Sequence, residues 1–354
     1  MRNNYLDNAK VMLIFLVVFG HAIYTTNESL SDLKWLIYTF HMPAFIFIAG
    51  FFEKKKEWKR VGKEIFWSCV IPYIVFQTIH NLVRVIFLDT QMREIILPNY
   101  TLWFLMALIV FKVLIQLVIR MPLLFITIYI IHFLIFDIYI VENYYYYAQG
   151  RIAIFFIFYM VGYYAKQYYK KNEEKIKRIF DKKWRYLIGT IFLISLGILK
   201  TKDIEILSQP WVQGILSNLK NYEDMGQKEI IIGRIETLLI QIIGLIGFLL
   251  IVPKKGYKWT EIGSLTLSIY LFHAVLIRIL GSFGVFKGID RIETIFTTLG
   301  ITIILMYINL KVLNIKKFIY LFPQIKDILS IKEFSIQQYL ELNKNYILFQ
   351  LLIF

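Results

Sequence analysis

The sequence predicts an all-α protein, a polytopic bundle of membrane-spanning helices, and three observations favour this fold class. Hydrophobic residues make up 58% of the 354 residues, charged residues only 18%, and the mean hydropathy is +0.59. Soluble domains usually carry about 25% charged residues. Apolar stretches of membrane length also recur along the whole chain. The composition therefore excludes a disordered chain and argues against a soluble enzyme.

The apolar stretches predict about ten spans, each long enough for a helix to cross the hydrocarbon layer. They lie at residues 9–26, 35–52, 65–88, 101–119, 122–141, 151–166, 186–200, 230–252, 262–281 and 293–313. Residues 1–315 are thus expected to form one integral membrane domain. Residues 316–354 are too charged to span, and they predict a cytoplasmic tail with amphipathic helical stretches.

Basic residues predict the orientation of this bundle. With the N-terminus inside, 28 of the 40 lysines and arginines lie on the cytoplasmic side, many of them in the loops 53–63 and 166–185. Cytoplasmic loops of membrane proteins carry such an excess, so both termini are predicted to be cytoplasmic. The net charge of +15 is therefore no sign of nucleic acid, and the expected partner is the lipid bilayer. The predicted location is the cell membrane, as a multi-pass protein of the bacterial plasma membrane.

Cysteine usage and short motifs exclude several kinds of site. The single cysteine, Cys69, excludes an intramolecular disulfide and a metal site built from several cysteines. The sequence has no HExxH zinc motif, no phosphate-binding Gly-rich loop and no GxSxG elbow. These absences argue against a membrane metalloprotease or an ATP-driven pump, and no metal is expected.

Ionisable residues in the first two spans are candidate functional residues, because lipid makes their burial costly. Lys10 and His21 are eleven residues apart, close to three helical turns, and so lie on nearly the same helical face. A short loop joins the first span to the second, which places His41 at a depth similar to that of His21. A lone histidine in a span is also often a hydrogen-bonded interior residue, and that alternative stays open.

Two later spans carry further polar faces. One face of the third span carries, at helical spacing, Tyr73, Gln77, His80, Asn81 and Arg84. Such a face lines a cavity or forms a hydrogen-bonded seam between helices, and the sequence leaves both open. In the ninth span Ser268 and Tyr270 precede His273, and Arg151 opens the sixth span.

The histidines and arginines of these spans are concentrated in the outer half of the membrane, which predicts a polar cavity open to the outside. Histidine suits a general base near neutral pH, and arginine suits binding of an anion or polarisation of a carbonyl. Trp103 could stack on a sugar ring or anchor the membrane interface, and both interpretations remain open.

Six motifs in order give the sequence a resemblance to the acyltransferase 3 family of integral membrane O-acyltransferases. The first is a basic residue, ten intervening residues and a histidine, formed here by Lys10 and His21. The others are FHMPAFIFIAGFF at 40–52, IPYIVF at 71–76, LWFLMALIVF at 102–111, GRIAIFFIFYMVGYYA at 150–165 and EIGSLTLSIYLFH at 261–273. The resemblance covers residues 1–315 and points to the branch that includes fucose O-acetylase-like acetyltransferases.

The resemblance implies transfer of an acyl group, usually acetyl, from cytoplasmic acetyl-CoA to a hydroxyl of an extracytoplasmic glycan or glycolipid. The polar faces of the spans and the resemblance together predict the catalytic residues His21, Lys10, His41, Arg151 and His273. Those expected to bind the donor or the acceptor are Arg60, Lys63, Gln77, His80, Arg84, Trp103, Ser268 and Tyr270. One-step transfer and a route through an acyl-histidine both fit these residues. The alternative function is a glycan or glycolipid transporter or flippase without acyl-transfer chemistry, which would use the same polar path.

Overall fold

A computed structural model describes residues 3–24, 30–139, 149–201, 227–285 and 291–311, and every regular element in these ranges is a helix. The α-helices are α1 (Asn4–Tyr24), α2 (Ser31–Phe51), α3 (Trp58–Ile65), α4 (Ile71–Leu88), α5 (Trp103–Arg120), α6 (Pro122–Tyr139), α7 (Gln149–Lys171), α8 (Glu173–Asp181), α9 (Trp184–Thr201), α10 (Gln227–Ile251), α11 (Thr266–Ser282) and α12 (Arg291–Lys311). A π-helical turn, Phe66–Val70, joins α3 to α4, and a 3-10 helix, Lys258–Ser264, precedes α11.

Five of the described helical segments are long and apolar enough to cross a membrane: Asn4–Ile23, Asp32–Phe51, Trp58–Leu88, Trp103–Arg120 and Ile231–Ile251. A sixth is added if the 3-10 helix and α11, which meet at 81°, form one broken span. The predicted all-helical class with apolar spans is confirmed. The number ten and the cytoplasmic termini stay predictions, and the predicted tail 316–354 lies outside the described residues.

A pair of glycines lets α2 and α7 pack backbone against backbone. A Cβ atom added to Gly50 would overlap the carbonyl group of Tyr159, and one added to Gly162 would overlap the carbonyl group of Phe47. Small residues are enriched at helix contacts in membranes for this reason. Helix α2 thereby becomes a fixed support for the polar residues on its other faces.

Gly162→Ala is expected to lower the thermal unfolding midpoint of the detergent-purified protein, because the added methyl group must push α2 and α7 apart. Overpacking of this kind costs about 1–3 kcal/mol. Gly197→Ala is the matched control, since a Cβ atom at Gly197 meets nothing within 4 Å. Equal unfolding midpoints for the two variants would contradict the close contact.

The first helix is fixed to the segment that leads into α11. Asn8 is fully buried, and its Nδ2 donates to the carbonyl oxygens of Pro253 and Lys255 at 2.9 and 2.8 Å. Its Oδ1 accepts a hydrogen bond from the hydroxyl of Thr260 at 2.6 Å. In the same region, a Cβ atom on Gly263 would press against Asp7. These contacts fix α1 against the segment 253–263, directly before α11.

Candidate functional site

Two histidines from distant parts of the chain face each other between α1 and α11. The ring centroids of His21 and His273 are 5.3 Å apart, with the ring planes inclined at 37°. Nδ1 of the fully buried His273 lies 3.1 Å from the carbonyl oxygen of Ile269, one helical turn earlier. Its Nε2 is buried and has no hydrogen-bond partner among the described residues. When Nδ1 donates to Ile269, Nε2 keeps the lone pair that accepts a proton.

Tyr38 connects His21 to His41. The hydroxyl oxygen of Tyr38 lies 3.0 Å from Nδ1 of His21, and its ring centroid is 4.8 Å from that of His41. Nδ1 of His41 is 2.8 Å from the carbonyl oxygen of Ile37, which fixes the orientation of that buried ring. A tyrosine hydroxyl can accept as well as donate, so this contact allows the His21 tautomer with an unprotonated Nε2. The structure thus brings the three histidines predicted to be catalytic, His21, His41 and His273, into one cluster.

Tyr100 approaches the same cluster in an unusual backbone conformation. Its φ is 46°, in the left-handed region that non-glycine residues rarely occupy. Its ring centroid lies 4.9 Å from that of His21, and the guanidinium carbon of Arg278 lies 4.8 Å from the same ring. Such strain costs about 1–3 kcal/mol and persists where the surroundings enforce it, often at functional sites.

The polar face of α4 holds the loop 89–102, which carries Tyr100. Nε2 of Gln77 donates to the carbonyl oxygens of Glu94 and Leu97 at 2.9 and 2.8 Å, and its Oε1 accepts from the backbone N–H of Asn99 at 2.9 Å. The side chains of Tyr73, Asn81 and Arg84 donate in the same way to the carbonyl oxygens of Ile95, Arg93 and Gln91. The polar face predicted for the third span therefore binds the loop 89–102, which directly follows α4 in the chain. Contact of Gln77 or Arg84 with donor or acceptor stays a prediction.

Residues at the starts of α5 and α7 adjoin the histidine cluster. The hydroxyl of Tyr270 donates to the carbonyl oxygen of Thr101, which fastens α11 to the end of the loop 89–102. The guanidinium carbon of Arg151 lies 4.7 Å from the ring centroid of Trp103, and Arg151 is within electrostatic reach of His21. Ser268 is buried in α11. Trp103 therefore packs against Arg151 within the protein, and stacking of Trp103 on a sugar stays a prediction.

Lys10 lies at the opposite end of α1, about 16 Å from His21 along the helix axis at 1.5 Å per residue. Its Nζ is 2.6 Å from Oδ1 of Asp7 and 5.5 Å from the ring centroid of Phe52. We call the two ends of the bundle the Lys10 end and the His21 end. Arg60 and Lys63 are exposed on α3, which follows Phe52 in the chain and begins at the Lys10 end.

A buried carboxylate organises the Lys10 end. Glu53 is 3% exposed, and its side-chain oxygens lie 2.6 Å from Nζ of Lys56, 3.4 Å from Nζ of Lys112 and 2.7 Å from the hydroxyl of Tyr159. Burial alone would raise the pKa of Glu53, but Lys112 together with the hydrogen bonds from Lys56 and Tyr159 lowers that pKa to about 2. The same two lysines each contact Glu64 at 2.6 Å. An ionised network therefore holds the basic segment after α2 against α5 and α7.

Several of these residues have only weak signals in the sequence. Tyr38 precedes His41 by three positions, and this helical spacing indicates that the two side chains share a face of α2. Glu53 stands out only as an acid at the start of a lysine run. Tyr100 offers no signal, because its role depends on a backbone conformation that residue type does not reveal. Arg278 lies five positions after His273, and only the packing of α11 shows its contact with Tyr100.

In the described ranges, no three His, Cys, Asp or Glu side chains converge as the ligands of a metal ion would. A family model described as an acyltransferase domain matches residues 3–310, which include α1 to α11 and almost all of α12. No curated protein and no solved structure matches the chain.

Proposed function

Because the chain belongs to the acyltransferase 3 family, whose model covers residues 3–310, we propose that it is a membrane-embedded O-acyltransferase. The proposed reaction moves an acyl group, with acetyl as the first candidate, from cytoplasmic acyl-CoA to a hydroxyl of an extracytoplasmic glycan or glycolipid. The observation that carries the proposal is the pairing of His21 with His273, whose ring centroids are 5.3 Å apart, together with the Tyr38 hydroxyl 3.0 Å from Nδ1 of His21. This pairing supplies an oriented base within the fold of an acyltransferase.

In the proposed mechanism, Nε2 of His21 takes the proton of the acceptor hydroxyl while the hydroxyl oxygen attacks the carbonyl carbon of the thioester. The carbon–sulfur bond then breaks, the acyl ester forms, and the imidazolium returns the proton to the leaving thiolate. Arg151 supports the negative charge on the carbonyl oxygen, since it lies within electrostatic reach of His21. Transfer through an acyl group on His21 would use the same groups in two steps.

The donor is proposed to enter from the Lys10 end. Arg60 and Lys63 are exposed there, and the loop positive charge predicts that this end is cytoplasmic. Cationic side chains suit the phosphates of coenzyme A. The roughly 16 Å between Lys10 and His21 along α1 would then be bridged by the extended arm that carries the thioester. This orientation places the His21 end on the extracytoplasmic side, facing the acceptor.

The proposal is tested by measuring ester-linked acyl groups on surface glycans, released by mild alkali, from cells with and without the gene. We expect the esters to disappear on deletion and to return on complementation, with mass spectrometry identifying the acyl group. Purified protein should also move a labelled acetyl group from acetyl-CoA to a glycan extract of the deletion strain. Unchanged esters together with a loss of glycan export would instead indicate a transporter.

A further inference from the structure

Three arginines gather at the His21 end, and none has a carboxylate partner among the described residues. Arg84 lies near the end of α4, Arg93 in the loop 89–102 and Arg278 in α11, and the first two act electrostatically on Arg278. Within the described part of the chain, none of the three forms an ion pair with Asp or Glu. At the Lys10 end, by comparison, the partly buried Lys10, Lys56 and Lys112 each have a carboxylate partner.

On Arg278 and near it, buried side-chain atoms lack a hydrogen-bond partner among the described residues. His80 is fully buried, and neither of its ring nitrogens has a hydrogen-bond partner among the described residues. Nη1 of Arg278 is likewise buried without such a partner. The rings of Phe76 and Phe272 meet edge to face at 4.9 Å, and His80, one turn after Phe76, shares its side of α4. His80 therefore faces α11, which carries Arg278.

This arrangement is costly for an empty site. Leaving a buried donor or acceptor unsatisfied costs about 1–3 kcal/mol, and more when the group is charged. The positive charges of Arg84 and Arg93 add electrostatic repulsion on Arg278 to that cost. One negatively charged oxygen group would offset both the unsatisfied hydrogen bonds and the repulsion. The arginine fork matches the two oxygens of a carboxylate or phosphate, and imidazole can donate one more hydrogen bond.

We propose that Arg278 and His80, with Tyr100 between Arg278 and His21 and with Arg84 and Arg93 at the rim, bind a carboxylate or phosphate group of the acceptor. The inference rests on the proposed function in identifying the ligand as the acceptor, which would then be an acidic glycan or a glycolipid phosphate. Tyr100 contacts both His21 and Arg278, at 4.9 and 4.8 Å. An anion held at Arg278 would therefore place a neighbouring hydroxyl of the same molecule close to His21.

The test measures ligand binding without acyl-CoA, so it does not depend on acyl transfer. The detergent-purified full-length protein is titrated with glucuronate, with inorganic phosphate and with glucose, at constant ionic strength, while its thermal unfolding midpoint is followed. We expect at least one anion to raise the midpoint and glucose to have no effect. A response to glucuronate alone indicates a sugar carboxylate, and a response to phosphate alone indicates a phosphate group.

Arg278→Gln should raise the anion concentration needed for half of the shift in unfolding midpoint by at least about tenfold. Loss of a hydrogen bond to a charged group has an effect of this size. Arg178→Gln is the matched control, because it removes the same charge from α8, where the Arg178 side chain is 81% exposed. If Arg278→Gln does not fold, His80→Gln is the second variant, and it should weaken the response in the same direction. No response to either anion, or an equal response in wild type and both variants, would overturn the proposal.

Discussion

His21→Ala is expected to reduce acyl transfer by about 10²–10⁴-fold while the amount of folded protein in the membrane stays the same. Nδ1 of His21 lies 3.0 Å from the hydroxyl of Tyr38, and the ring centroid of His273 is 5.3 Å from that of His21, so the orientation of the proposed base is defined. Alanine leaves these neighbours in place but removes the base. The measurement is the rate of label transfer from acetyl-CoA by purified protein.

His132→Ala is the matched control for this experiment. His132 lies on α6 with an exposed side chain, outside the cluster of His21, His41 and His273. The control variant should keep its rate of acyl transfer. Full activity in His21→Ala, with the control also active, would rule out His21 both as the base and as an acyl carrier.

Glu53→Ala is expected to destabilise the protein by up to about 3–5 kcal/mol, because it removes one of the two carboxylates that the largely buried ammonium groups of Lys56 and Lys112 share. Lys56 and Lys112 are 14% and 16% exposed, and each also contacts Glu64, which keeps the loss below that of two isolated charges. Thermal unfolding in detergent at neutral pH measures the effect. Glu57→Ala is the matched control, since Glu57 is an exposed acid in the same segment.

The stabilisation that Glu53 contributes should also decrease as the pH falls. Its pKa falls from an ordinary 4.5 to about 2 in the folded protein, so the folded state favours the ionised form. The stabilisation is therefore complete above about pH 4.5 and is lost as the pH falls toward 2. The difference in stability between wild type and Glu53→Ala should shrink over that interval. A difference that stays constant down to about pH 2 would contradict the ionised network.

Local pattern predicted the helices well, because long apolar runs leave the backbone few other ways to satisfy its hydrogen bonds in lipid. The predicted span 65–88 corresponds to a longer segment, Trp58–Leu88, in which α3 continues through a π-helical turn into α4. The predicted span 262–281 is broken, because Lys258–Ser264 forms a 3-10 helix at 81° to α11. Gly263 packs against Asp7 at that point, a contact between distant segments that local pattern cannot reveal.

The candidate site was predictable to the extent that it follows from helix geometry. The similar depth of His21 and His41 follows from a short connection, and Tyr38 links them in the structure. The pairing with His273 depends on α1 packing against α11, which no local spacing determines. The position of Tyr100 depends on a loop that bends back onto α4, and residue types in the loop do not predict that bend.

The docking of the loop 89–102 on α4 has a consequence for the order in which the site is assembled during synthesis. Asp89 and Tyr100 both have a left-handed backbone conformation, and they lie near the two ends of the loop that reverses the chain. The hydrogen bonds that hold this loop on α4 join residues at most 22 positions apart. Contacts so close in sequence form early and at little cost in chain entropy. One wall of the site can therefore be complete when residue 102 has been inserted, whereas His273 and Arg278 arrive only with α11. The nascent protein would then carry a half-formed site that stays chemically incomplete until its last third is in the membrane.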